Sequence, residues 1–180
     1  MAGIERILIN SDWEDERLQM SRDLSPAANE IYKSIFKRLD KPLAEGESTV
    51  LCTKDEAQAR YDYKEGIDCI LHFLDGTRGT LQEKFLEYSQ STVTIEEHKV
   101  NGLPGAWYYC TAQYYFVGYA TDYWKSKSLT FRDYMLLNFA NLKLAKVDWK
   151  FRYPTGYPSF RYIPFDEVPN SAVIARRNNG

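Results

Sequence analysis

Residues 66–88 read GIDCILHFLDGTRGTLQEKFLEY, two apolar runs separated by Asp75-Gly76. Ile67, Cys69, Leu71 and Phe73 alternate with Asp68, Ile70, His72 and Leu74, so one face of this predicted strand is wholly apolar and the other is mixed. After the turn signal, Leu81 and Phe85 fall on one face and Thr80, Gln82 and Lys84 on the other, which predicts a hairpin. An aspartate near its start and a Gln-Glu-Lys near its end leave two readings, surface decoration or a metal site.

Turn parity separates them. A two-residue Asp75-Gly76 turn sets Leu74 opposite Thr77 and Asp68 beside Glu83, away from Gln82 and Lys84. A three-residue loop, Asp75 to Thr77, sets Asp68 opposite Lys84, because a slip of one residue reverses every side chain. A metal site therefore requires an odd-length loop or a bulge.

Outward from the hairpin, 180 residues with 44% hydrophobic and 27% charged content suit one compact globular domain spanning 1–180. The opening MAGIERILINSDWEDER turns acidic before any apolar run reaches signal-peptide length, and no stretch approaches the roughly 18 apolar residues of a membrane span. A soluble, cytoplasmic protein without a membrane partner is expected. Cys52, Cys69 and Cys110 are odd in number and widely spaced, and read as reduced thiols. The net charge is −2, yet Asp122 to Arg161 holds eight Lys or Arg against three Asp or Glu, a local excess of +5. One face can be basic.

SPAANEIYKSIFKRL offers Ser25 as N-cap and Pro26 at the first helical position, with Ala28, Ile31, Ile35 and Leu39 at helical spacing. STVLCT and STVTIEEHKV read as strands. Residues 107–124 hold nine of the 27 aromatics and read as strand rather than helix, either an aromatic-lined sheet edge or a base-stacking platform. TFRDYMLLNFANLKLA predicts a second helix, from Thr130 with Asp133 and from the spacing of Met135, Phe139 and Leu142. In KVDWKFRYP, Lys146, Lys150 and Arg152 interleave with Trp149, Phe151 and Tyr153, a pattern that fits nucleic-acid contact. Phosphate-binding glycine loops, dinucleotide fingerprints and nucleophile signatures do not occur.

The order of a helix, a strand with GID, a hairpin and then QEK resembles the core of the PD-(D/E)XK nuclease superfamily, which includes restriction enzymes, Holliday-junction resolvases and exonucleases. The resemblance runs from the Ser25 helix to about Ala145, a core of about 25–145. It implies an α/β domain of restriction-endonuclease-like fold, a central mixed β-sheet flanked by helices, and Mg²⁺- or Mn²⁺-dependent hydrolysis of DNA phosphodiesters. By the same resemblance Asp68 is the metal-binding aspartate, Gln82 the second ligand, Glu83 the donor of a backbone carbonyl, and Lys84 the lysine that orients water and offsets transition-state charge. The usual acid at the second position is here Gln82, a neutral amide with one carbonyl oxygen.

Related enzymes tolerate glutamine there. Glu30 on the first helix, Asp62 and Glu65 are candidate accessory acids, although Glu30 also reads as an ion-pair partner of Lys33. His72 shares the Asp68 face and reads as a core histidine. Two alternatives stay open: a catalytically inactive nuclease-fold protein that binds nucleic acid or protein, and an interaction module whose aromatic sheet binds protein. Homo-oligomerisation is left open as well.

Overall fold

The computed structural model describes residues 2–9, 16–52, 66–87, 91–120, 122–126 and 128–178. The short apolar run near the N-terminus makes β1 (Ile4–Ile9), followed by α1 (Glu16–Arg38) and β2 (Glu47–Cys52). Residues 66–88 supply β3 (Cys69–His72) and β4 (Arg78–Leu86). Next come β5 (Thr92–His98), the single helical turn α2 (Ala106–Tyr109), β6 (Tyr114–Tyr119), the short α3 (Tyr123–Ser126) and β7 (Asp133–Asn138). The remaining elements are α4 (Phe139–Leu144), β8 (Lys150–Arg152), β9 (Ser159–Pro164) and β10 (Val173–Arg177).

Seven strands form a mixed sheet in the order β10-β7-β6-β4-β3-β1-β2, and a second sheet has the order β5-β9-β8. β1 is parallel to β2, β4 is parallel to β6, and β3 lies antiparallel between β1 and β4. The carboxyl ends of β1, β2, β4 and β6 thus share one edge, the place where open α/β sheets form ligand crevices.

Alternation along the strands sorts side chains into two cores. On one face Leu24, Ala28, Tyr32 and Phe36 of α1 pack on Leu71, Leu81, Phe116 and Leu136. On the other, Val93, Ile95 and Ile163 of the small sheet pack on Tyr115, Val117, Met135 and Leu137. Each fully buried apolar side chain stabilises the fold by roughly 1.5–3 kcal/mol, so both layers are needed to close the sheet. This is an α/β domain with a mixed central sheet. Of the helices expected to flank it, α1 covers one face; a three-stranded antiparallel sheet covers the other together with the short α4, and the β4-to-β6 connection carries β5 and one helical turn instead of a long helix.

Two sequence expectations are corrected. Ser25 and Pro26 do not start a helix: α1 runs through them, with Pro26 in its interior and Ser25 Oγ donating to the Ser21 carbonyl at 2.6 Å. Met20, Leu24 and Ala28 continue the buried stripe upstream, and their burial offsets the proline penalty of about 3 kcal/mol. Residues 133–138 are a strand, not the start of a second helix. β7 is bonded on both sides, to β6 and β10, so apolar residues on both its faces are buried, and Met135 with Phe139 matches helical spacing only by coincidence. The helix α4 starts where Asn138 caps it, its side chain accepting from the Asn141 amide at 3.0 Å.

The aromatic run 107–124 is also not strand throughout: 107–109 and 123–124 lie in the helical turns α2 and α3, with Tyr108 and Trp124 exposed, and the strand within it, β6, is no sheet edge. β6 is central, and Tyr115, Phe116, Tyr119 and Tyr123 are all buried. Among the described residues no helix is long and apolar enough to cross a membrane.

Candidate functional site

The hairpin loop has odd length. Phe73 N–H donates to the Thr77 carbonyl at 3.0 Å and the Phe73 carbonyl accepts from Gly76 N–H at 3.0 Å, leaving Leu74, Asp75 and Gly76 as the loop. Gly76 has φ +82°, the left-handed position of a three-residue hairpin. Asp75 Oδ1 accepts from the Thr77 amide at 2.8 Å and its hydroxyl at 2.6 Å, which holds the Asp75 carboxyl below its ordinary range. The loop begins one residue before the position expected from Asp75-Gly76, so the register pairs Cys69 with Leu81 and brings Asp68 level with Gln82, not Lys84. Parity is kept, and Asp68, Gln82 and Lys84 share a side of the sheet.

β3 begins only at Cys69, opposite Leu81, while β4 runs on to Leu86, which leaves the far half of β4 unpaired with β3. Asp68 sits at this fork. Its amide donates to the Leu81 carbonyl at 2.9 Å and its carbonyl accepts from Ile7 at 2.9 Å, fixing the backbone between β4 and β1. Its Oδ2 accepts from the Glu83 amide at 2.6 Å and from Gln82 Nε2 at 2.6 Å; the same Nε2 lies 3.3 Å from the Glu83 carbonyl oxygen. Beyond them opens a cleft of about 540 Å³, whose lining includes Asp68, Gln82, Lys84, Tyr109 and Phe160. Lys84 Nζ stands 4.7 Å from the centre of the Phe160 ring.

The Glu83 side chain turns to the opposite face. It pairs with the buried Arg6 guanidinium and accepts from Tyr32 OH at 2.7 Å, while Arg6 also donates to Asn29 Oδ1 at 2.8 Å. Burial acts to lower the Arg6 pKa, but the Glu83 charge leaves it above its ordinary value. Burial, reinforced by Glu83, raises the Tyr32 phenol and the Cys69 thiol, so neither ionises near neutral pH. Burial also pushes the Cys110 thiol up to about 11. This network is a structural clamp under the cleft floor.

The fork gathers one carboxylate, one side-chain amide and one main-chain carbonyl. Asp68 Oδ2 and the Glu83 carbonyl converge on the Gln82 NH₂ group, a partial positive charge held between two oxygens. A half-turn of the amide about its last bond would exchange Nε2 for Oε1 and turn a third oxygen toward Asp68 and the Glu83 carbonyl. Mg²⁺ accepts such a set, completing its shell with water and phosphate. Among the described residues no three His, Cys, Asp or Glu side chains gather as a metal cluster, so Asp68 carries the formal charge of this set.

Gly66 fixes the entry to the fork with φ +58°, and a Cβ there would lie 2.9 Å from Gln82 Oε1 and 3.0 Å from the Cys110 side chain. Gly66→Ala is therefore expected to lower stability by about 1–2 kcal/mol, read by urea denaturation. Unchanged stability would show that this turn has another accessible conformation.

The other sequence candidates fall elsewhere. Glu30 is exposed on α1, on the far side of the sheet, and pairs with Lys33 at 2.8 Å; Lys33 also reaches Glu47 at 2.6 Å. Asp62 and Glu65 lie outside the described residues. His72 is buried, and its Nε2 has no hydrogen-bond partner among the described residues. Lys146 is exposed, Lys150 pairs with Glu167 at 3.2 Å, and Arg152 lies on the small sheet 5.0 Å from the Tyr162 ring. Arg6, Tyr109 and Phe160 carried no expectation; a lone arginine inside the apolar run IERILI is the one signal that marked Arg6 in advance. Compared with known proteins, the chain matches no family model, no curated protein and no solved structure.

Proposed function

We propose that this protein is a metal-dependent nuclease of restriction-endonuclease-like type that hydrolyses DNA phosphodiester bonds in the cleft beside β4. The observation that carries the reading is the contact of the Asp68 carboxylate with the Gln82 amide, which also lies 3.3 Å from the Glu83 carbonyl, at the wall of the cleft, with Lys84 two residues along the same face. Those three groups would hold Mg²⁺ or Mn²⁺, which when bound supplies Lewis acidity at a phosphate oxygen. The Lys84 ammonium orients the attacking water and offsets charge that builds on the phosphate oxygens. Tyr109 and Phe160 line the cleft beside these groups.

A second reading has an observation of its own: the Gln82 amide donates to Asp68 and so already satisfies the carboxylate. That favours a nuclease-fold protein that binds nucleic acid without cutting it. Incubation of pure protein with plasmid, linear duplex and single-stranded DNA, in Mg²⁺, Mn²⁺ or EDTA, distinguishes the two. The nuclease reading expects metal-dependent cutting of at least one form. Retention of DNA in a mobility-shift gel with no cutting under any metal would favour the binding reading.

Gln82→Glu adds a negative charge where the cation binds. It is expected to tighten Mg²⁺ by about tenfold or more, read by calorimetry. Turnover need not follow, so affinity is the quantity to compare. Unchanged affinity would remove Gln82 from the ligand set.

A further inference from the structure

A second pocket of about 240 Å³ opens directly off the cleft, sharing Lys84, Glu87 and Phe160 with it and adding Thr94, Arg152 and Tyr162. Its wall is one face of the small sheet. In register, Arg152 lies opposite Phe160, and Lys150 opposite Tyr162, so cations and rings alternate along that face. The Arg152 guanidinium sits 5.0 Å from the Tyr162 ring centre and Lys84 Nζ 4.7 Å from that of Phe160. Phe151 and Tyr153 stack on one another on the opposite face of this sheet, with Arg161 against Phe151, so the pocket face carries the rings of Phe160 and Tyr162 alone among these aromatics.

A ring beside a cation is a surface that a flat, electron-rich base can stack on while its phosphate meets positive charge. Duplex DNA hides its base faces inside the stack, whereas an unpaired strand offers them. The pocket is smaller than the roughly 300–1,000 Å³ of a drug-sized ligand site, a size that suits one base rather than a folded ligand. Lys84 and Arg152 supply the matching charge, with Glu87 as the acid in the wall.

On these grounds we propose that the substrate is single-stranded DNA, with one base held between Arg152, Tyr162 and Phe160 while the neighbouring phosphate reaches Lys84. This inference rests on the nuclease reading for the identity of the ligand, but the two can fail separately. The strand would run from the Arg152–Tyr162 pocket past Phe160 and Lys84 toward Asp68.

The test is fluorescence anisotropy with a labelled oligodeoxythymidylate and a blunt duplex of equal length, in EDTA so that cleavage plays no part. The single strand is expected to bind at least about tenfold more tightly than the duplex. Tyr162→Ala and Arg152→Gln should each weaken single-strand binding about tenfold and leave the weaker duplex binding unchanged. Arg152 is exposed on an edge strand, so Arg152→Gln keeps the fold, which circular dichroism verifies. Equal affinity for the two DNAs, or wild-type affinity in Arg152→Gln with its fold intact, would overturn the inference. Metal-dependent cutting of duplex without single-strand preference would overturn this inference while leaving the nuclease reading in place; strong single-strand binding without cutting would do the reverse.

Discussion

Asp68→Ala is expected to abolish metal-dependent DNA cleavage, and Lys84→Ala to lower its rate by about a hundredfold to a thousandfold. The two losses have different causes. Asp68 contributes the formal negative charge of the donor set and orders it by accepting from Gln82 and Glu83, so its removal strips both charge and geometry. Lys84 lies outside the proposed ligands. Its truncation should therefore leave cation affinity near wild type while the chemical step slows. Cleavage assays at saturating Mg²⁺, paired with metal titrations, separate these behaviours. Wild-type rates in both variants would place any activity elsewhere, and loss of cation affinity in Lys84→Ala would contradict the assigned division of roles.

The largest stability effect is expected at Glu83, whose backbone belongs to the site and whose side chain belongs to the core. Glu83→Ala leaves the Arg6 guanidinium buried with Asn29 and removes the acceptor of Tyr32 OH. Breaking a buried pair in this way costs about 3–5 kcal/mol, because the surviving charge has lost its counter-charge. For a chain of this size that lowers the melting temperature by roughly 6–20 °C. Removing both charges should recover much of the loss, so Arg6→Leu combined with Glu83→Ala is expected to be more stable than Glu83→Ala alone. Urea denaturation checks both statements. A single variant within about 1 kcal/mol of wild type would show that the pair is not the clamp described.

The hairpin was legible because its information is local: alternation fixed the faces, Asp75-Gly76 fixed the turn, and parity tied the position of Asp68 to loop length. Sequence could not choose between even and odd loops, since the choice depends on Gly76 taking the left-handed position and on Phe73 pairing with Thr77. Non-local partners decided the rest. Met135 and Phe139 match helix spacing, but β6 and β10 on either side claim residues 133–138 as a strand. Ser25-Pro26 is a helix-start signal that burial of Met20 and Leu24 overrides. Of the small sheet that walls the cleft only β5 was foreseen, and nothing in the sequence placed Phe160 beside Lys84. At the site, spacing brought out Asp68, Gln82 and Lys84, while the clamp of Arg6, Asn29 and Tyr32 depends on contacts made across the sheet.

The central claim is that the fork between β3 and β4 holds a divalent cation. Calorimetric titration of Mg²⁺, and of Mn²⁺ in parallel, into wild type and Asp68→Ala without nucleic acid tests it directly. One saturable cation per chain in the wild type, lost in Asp68→Ala with the fold intact, is the predicted result. Heats that are the same in both proteins, or absent from both, would contradict it.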